Sequence, residues 1–393
     1  MVGPGLEAID EIMLRQRDRR GIPGIGLAVA RQGRLVVARG YGYADILAQQ
    51  PVHPTTPFLL ASVSKVFTAQ SVLKLVDAGR LPLDAPAFSF VRDLEPPRGM
   101  SEDPRLEEIT VRMLLNHTGG WDRRTSGDPN AWGPRVRRAL HLDHPPTMWE
   151  LIRYMKGVPL DFDPGTRAVY SNFGFDLLGA ILERVLGEPY EAAVRHTTLG
   201  PLGVERPRLD LLPPRYLPGE ARRYAPGGEH EFPGGHLAMV APSGGWVASP
   251  VDLLRLMTGI DGTRTGQSWL GLETTQAMLT RWPGVQPRPD GSYFGLGWDR
   301  VMSPAAGAPA GAADGSAYLR PFEFGKDGGV TGISTWVAHL PLPDGSTLVW
   351  ALLLNISAMH EEAPPIPAIA REVLEVFRTL PQWPDVDYFE RFQ

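Results

Sequence analysis

Pro57-Phe58-Leu59-Leu60-Ala61-Ser62-Val63-Ser64-Lys65-Val66-Phe67-Thr68-Ala69 is the stretch around which the rest of the chain is organised. An apolar run leads into Ser62, and a helix-type pattern follows as far as Asp77-Ala78-Gly79, where glycine suits a helix end. Serine and lysine three apart, with the serine near a helix start, stand on one face about one turn apart. The helix start offers unpaired N–H groups and a positive dipole end, which suit a developing oxyanion. A serine hydroxyl needs a neighbouring base to become a nucleophile. A partly buried lysine beside a second cation can lose its proton near neutrality and become that base.

Ser-x-x-Lys is a short pattern, and the same helix carries a second copy, Ser71-Val72-Leu73-Lys74. Ser71 falls about two and a half turns into the helix, where backbone N–H groups are already paired, and Lys74 reads as a solvated helix charge. The tetrapeptide by itself leaves a purely structural Ser62 open. Composition adds one argument: of 39 basic residues only Lys65, Lys74, Lys156 and Lys326 are lysine. Arginine could not act as a base at position 65.

The 393 residues can bury a large core, as one large unit or two closely joined domains. A net charge of −5 makes no electrostatic case for nucleic acid or an anionic membrane. The absence of cysteine excludes disulfides, thiolate catalysis and Cys-ligated metal. Met1-Val2-Gly3-Pro4-Gly5 lacks the basic and apolar regions of a signal peptide, so a cytoplasmic location is expected. No apolar run reaches the roughly 18 residues of a membrane span. With 44 Gly and 39 Pro and no repeat, many loops are expected.

Leu6 to Arg19 has helical spacing of Leu6, Ile9, Ile12 and Met13. Ile25–Ala30 and Leu35–Arg39 flank the turn Arg31-Gln32-Gly33-Arg34 and read as a hairpin, which Gly40–Asp45 leaves. Helical patterns then dominate: Ile109–Leu115, Pro146–Met155, Phe173–Leu186, and a helix capped by Ser249 with Pro250 at its first position. Pro201–His236 reads as a long irregular excursion. Strands return at Tyr293–Met302, Arg320–Lys326, Ile333–Leu340 and Thr347–Leu354, with an Ala/Gly/Pro loop at Ser303–Ala317 and a turn at Pro343-Asp344-Gly345-Ser346. A helix from Pro365 to Leu380 follows. Strands at both ends with helices between predict an α/β (α+β) fold: one antiparallel sheet built from both chain ends, flanked by helices, with an inserted mainly helical domain. Residues 1–61 with 285–393 form the expected sheet domain and 62–284 the helical one, with the active site in the cleft between them.

Two further stretches carry chemistry. In Val169-Tyr170-Ser171-Asn172, Tyr170 is the one tyrosine of ten with asparagine two residues on. Adjacent lysines could favour its phenolate and make it a general base, and Asn172 could donate to a substrate carbonyl. A buried tyrosine at a helix start is the plainer alternative. In Gly325-Lys326-Asp327-Gly328-Gly329, Lys326 ends an expected strand and the glycines let backbone pass close to a ligand, unless the segment is only a tight surface turn.

The order Ser-x-x-Lys, Tyr-x-Asn, Lys-x-Gly resembles the serine β-lactamase and penicillin-binding protein superfamily, particularly class C β-lactamases, D-Ala-D-Ala carboxypeptidases and family VIII carboxylesterases. Gly21–Gly24, Arg39–Asp45, Leu114–Gly120, Pro164-Gly165 with Tyr170–Asn172, and Gly244-Gly245 through Leu253 look like further stretches of it. The resemblance implies two-step acyl transfer: Ser62 attacks a carbonyl while Lys65 and Tyr170 accept and relay its proton. The backbone N–H groups of Ser62 and Gly329 would form the oxyanion hole. Asn172, Lys326, Asp327 and Gly328 would face the substrate, with Lys326 holding Tyr170 ionised. No cofactor or metal is expected, and the partner is a small ester or amide.

One position departs from the pattern. The superfamily has Thr or Ser where this chain has Asp327, and that hydroxyl helps receive a substrate carboxylate. An acid there disfavours β-lactams and D-Ala peptides, favours neutral esters or amides, and is expected to neutralise Lys326 in part. An α/β-hydrolase would need Gly-x-Ser-x-Gly, which no serine here satisfies. His230-Glu231 and His236 lack a His-Glu-x-x-His frame for metal, and His117 reads as structural or at the pocket rim. An acyltransferase, or a sensor that acylates and stalls, stays open.

Overall fold

The run Thr347-Leu-Val-Trp-Ala-Leu-Leu-Leu354 has almost no polar side to turn to water, and it forms the middle strand of a sheet covered on both faces. The structure, a computed structural model, describes residues 6–209, 216, 218–225, 228–229, 236–304, 311–357, 365–380 and 382–392. In chain order the elements that matter are α1 (Glu7–Arg20), β1 (Gly24–Arg31), β2 (Arg34–Asp45), β3 (Gln50–Pro51), α2 (Ser64–Asp77), α3 (Asn172–Leu186), α4 (Pro250–Ile260), β4 (Arg300–Met302), β5 (Glu323–Val330), β6 (Ile333–Pro341), β7 (Thr347–Leu354) and α5 (Pro365–Thr379). The seven strands run antiparallel in the order β3-β2-β1-β7-β6-β5-β4, so the sheet joins both parts of the chain.

Strand periodicity sorts the residues of β7 between two cores. Leu348, Trp350, Leu352 and Leu354 meet Ile9 and Met13 of α1 and Ile369, Val373 and Phe377 of α5. Val349, Ala351 and Leu353 face the second core, which includes Val251 and Leu254 of α4. Ser249 and Asp252 form a capping box that starts α4 behind Pro250. Gly26 of β1 lets this helix approach, since a Cβ there would lie 2.8 Å from the Pro250 ring and 3.2 Å from Phe58. On that side of the sheet α2 and α3 pack together, with a small sheet of Phe58–Leu59, Trp246–Ala248 and Arg208–Leu209 beside them.

Several boundaries differ from the sequence expectation. β2 continues to Asp45 instead of ending at Arg39. Only Arg300–Met302 of the expected strand Tyr293–Met302 is extended, because the Gly295 N–H donates to the Trp298 carbonyl and Gly297 takes φ +89°. Gly315–Leu319 is a short helix capped by Asp314, and β5 therefore begins at Glu323 and runs on to Val330. Lys326 lies within this strand rather than at its end. Residues 305–310 of the expected Ala/Gly/Pro loop, and His230 and Glu231, lie outside the described residues.

Candidate active site

Ser62 is aimed by a constrained turn. Phe58–Leu59 pairs with Val247 and Ala248, and the Leu60 N–H donates to the Trp246 carbonyl at 2.8 Å. Ala61 then takes φ +46°, a left-handed conformation that costs a residue with a Cβ about 1–2 kcal/mol. Ala61–Val63 is a 3₁₀ turn, so Ser62 stands just before α2 and Lys65 in its first turn. β5 presses on this turn: a Cβ on Gly328 would lie 2.4 Å from the Leu60 carbonyl and 3.0 Å from the Ser62 nitrogen. Gly328 is thus a close-packing position rather than an exposed one. Gly329 is open, its nearest neighbour in the Cβ direction being the Ile333 carbonyl at 4.0 Å.

The structure brings Ser62, Lys65, Tyr170 and Asn172 together. The Tyr170 hydroxyl donates to Ser62 Oγ at 2.6 Å, and Lys65 Nζ lies 3.3 Å from the same oxygen. Lys65 also donates to Asn172 Oδ1 at 2.7 Å and to the Ser243 carbonyl at 2.6 Å. Those two oxygens can only accept, so in the neutral amine they take both N–H bonds and the lone pair is left for Ser62. The Asn172 amide is fixed from its other side, with Nδ2 donating to Asp128 Oδ2 at 2.6 Å. Asn172 therefore holds Lys65 and is committed through both ends of its side chain.

Electrostatics divides the roles of Lys65 and Tyr170. Burial, reinforced by the Lys326 charge, lowers Lys65 to about 7, against opposing pulls from Asp176, Asp299 and Asp128. Burial raises Tyr170 well above its ordinary value, and Asp299 raises it further. The expected phenolate is therefore corrected. Lys65 and Lys326 stand over the Tyr170 ring, 5.0 and 4.7 Å from its centre. Tyr170 rests protonated and donates.

The partner of Lys326 is also corrected. Lys326 is fully buried and its Nζ lies 2.5 Å from Asp299 Oδ1. Asp327, on the alternate side of β5, is exposed and makes no ion pair among the described residues. The same Asp299 oxygen faces His117 Nε2 at 3.5 Å, while the Ser171 N–H donates to His117 Nδ1 at 3.2 Å. Burial holds His117 down to about 4, hence neutral with its proton on Nε2. His117 is thus not at a pocket rim: it is buried, with its ring 4.7 Å from that of Tyr170. Asp299 was not apparent as a site residue from the sequence, nor was the Ser243 carbonyl.

The second Ser-x-x-Lys copy is dispersed. Ser71 Oγ donates to the Phe67 carbonyl and meets Thr198 Oγ1 in the core, and Lys74, partly exposed, donates to the Trp269 carbonyl. Ser62 opens into a cleft of about 450 Å³ whose walls include Arg123, Asn130, Val240, Gly244, Gly329 and Val330. Among the described residues no group of three or more His, Asp or Glu is placed to hold a metal, and no helix is long and apolar enough to cross a membrane.

The beta-lactamase family model matches residues 9–375. Esterase EstB of Burkholderia gladioli is 32% identical over 309 residues, covering 68% of this chain and 76% of that protein. Protein flp of Staphylococcus aureus (strain COL) is 29% identical over 196 residues, half of this chain but only 36% of that one. Among solved structures, D-amino acid amidase from Ochrobactrum anthropi SV3 superposes with a TM-score of 0.72 at 22% identity, covering 97% of this chain and 100% of that one. That last likeness is one of fold.

Proposed function

The chain belongs to the beta-lactamase family, and from that premise we propose that it is a carboxylesterase acting on small neutral esters through an acyl-enzyme on Ser62. Membership makes it a serine hydrolase of the β-lactamase and penicillin-binding protein type. The observation that carries the reading is the relay from Tyr170 to Ser62 to Lys65, with the base near neutrality and the phenol protonated. The ester preference is supported by the likeness to esterase EstB and by a cleft within the size range of small-ligand sites.

The protons balance over a cycle. Neutral Lys65 takes the Ser62 proton as Oγ attacks the ester carbonyl, and Tyr170 gives its proton to the departing alkoxide. The acyl-enzyme then holds a lysine ammonium beside a phenolate. Water gives a proton to that phenolate and attacks the acyl carbonyl. Ser62 leaves with the Lys65 proton, and both groups return to their resting states. The forming oxyanion would be met by the N–H groups of Ser62 and Gly329, each worth about 10²–10³ in rate. β4 pairs with β5 only from Glu323 to Gly325, which leaves the edge beyond it free to face the Ser62 turn. An alcohol in place of water would make the same intermediate an acyl donor.

Ser62→Ala should abolish p-nitrophenyl butyrate hydrolysis and fluorophosphonate labelling, while Ser71→Ala should keep both. Labelling that survives Ser62→Ala would sink the reading.

A further inference from the structure

We propose that Asp128 is a positioning residue for this site: it fixes which end of the Asn172 amide meets Lys65, and so keeps the lone pair of that base directed at Ser62. Its role rests on the reading above, in which Lys65 is the base of a Ser62 acyl-enzyme.

Asp128 stands on the cleft wall and uses both oxygens of its carboxylate. Oδ1 accepts the Asn130 N–H at 3.1 Å and so caps the turn Pro129–Ala131, while Oδ2 accepts from Asn172 Nδ2 at 2.6 Å. A carboxylate only accepts, so it takes the nitrogen of the amide and turns the oxygen toward Lys65. In that sense Lys65 Nζ donates to Asn172 Oδ1 at 2.7 Å, beside its bond of 2.6 Å to the Ser243 carbonyl. The same turn also holds the residue of this second acceptor, because Asn130 Nδ2 donates to Ser243 Oγ at 3.0 Å. Reversing the Asn172 amide would aim an N–H at Lys65. A neutral amine has one lone pair, and a donor placed there leaves none to receive the Ser62 proton.

Position 128 therefore needs two acceptors, and an amide has one. In Asp128→Asn the new oxygen serves the Asn130 N–H and the new NH2 turns to Asn172, which meets it by reversing. Every hydrogen bond is then made and the base is blocked. Adding Asn172→Asp exchanges the two side chains. Position 172 then carries acceptors alone, the NH2 at position 128 donates to it, and an oxygen faces Lys65 again. Charge acts separately from orientation. Burial and Lys326 lower Lys65, whereas Asp176, Asp299 and Asp128 raise it. Losing the Asp128 charge by itself moves the acid limb of the pH profile to lower pH. It leaves the plateau unchanged, since Lys65 is already neutral there.

The test follows kcat and KM for p-nitrophenyl butyrate across the acid limb and the plateau, in wild type, in Asp128→Asn and in Asp128→Asn with Asn172→Asp. Asp128→Asn should lower the plateau at least about fivefold, in kcat rather than KM, as expected for one hydrogen bond deciding the amide's sense. The exchange should recover at least about threefold of that loss, with its limb moved to higher pH by the carboxylate now beside Lys65. A smaller plateau loss in Asp128→Asn overturns the proposal, because Asp128 then supplies charge alone. So does a smaller recovery in the exchange, which is what mere loosening of the turn would give. Neutron diffraction from wild-type crystals at a pH on the plateau needs no variant to fold. The Asn172 amide deuterons should point at Asp128, and deuterons aimed at Lys65 overturn the proposal. Absence of Ser62-dependent hydrolysis in wild type would instead remove the esterase reading itself.

Discussion

Because Lys65 is lowered to about 7 by burial and by Lys326, it should set the acid limb of the pH profile. Below that pH its lone pair is protonated and Ser62 has no base, so kcat/KM should fall as pH drops through about 7 and level off above it. The charges acting on Lys65 are Lys326, which lowers it, and Asp176, Asp299 and Asp128, which raise it. Asp299→Asn removes one supporting anion, so the limb should move to lower pH in that variant. A limb left in place, or one near the ordinary lysine value, would remove Lys65 from the role of base. Ser62 with Lys65 and Tyr170 with Asn172 stand out as short-spaced pairs, but their roles come from the resemblance to a family, since the spacing alone leaves structural readings open. Asp299 does not stand out, since it lies 27 residues before Lys326 in the chain. The charge compensation was expected from Asp327 instead, but chain neighbours on a strand point to opposite sides.

At the scale of elements, the packing of β5 against the Ser62 turn makes two adjacent glycines behave differently. Gly328→Ala places a methyl 2.3 Å from Thr335 Oγ1 and 2.4 Å from the Leu60 carbonyl, so the turn or the strand must shift. We expect a loss of about 1–3 kcal/mol in denaturant unfolding, typical of overpacking, together with at least a tenfold fall in kcat. Gly329→Ala meets open space and should change stability by no more than about 0.5 kcal/mol. Equal stability losses in the two variants would contradict the described contact. The strands β6 and β7 and the helices α1, α3 and α5 were readable from periodicity and capping almost to their ends. β4 and the start of β5 were not, because turns at Gly295–Gly297 and a helix at Gly315–Leu319 interrupt apolar runs that otherwise read as extended.

Across the whole molecule the sheet is assembled from two distant parts of the chain, and the nucleophile turn is where the intervening helices meet its β5 edge. That arrangement brings Lys65 and Tyr170 to the Ser62 hydroxyl, the Ser243 carbonyl to Lys65, and the Lys326–Asp299 pair to the Tyr170 ring. That both chain ends share one antiparallel sheet was foreseeable, whereas the order of its strands was not. Which side chain would meet Lys326 depended on that pairing and on the turn before β4, neither of which local spacing encodes. The most direct measurement is rapid acid quench of the wild-type enzyme during p-nitrophenyl butyrate turnover, followed by peptide mapping by mass spectrometry. A butyryl group on the peptide carrying Ser62, lost in Ser62→Ala and accompanied by many turnovers per enzyme, is the expected result. A butyryl group on another residue, or release that stops at one equivalent, would contradict a Ser62 acyl-enzyme that turns over.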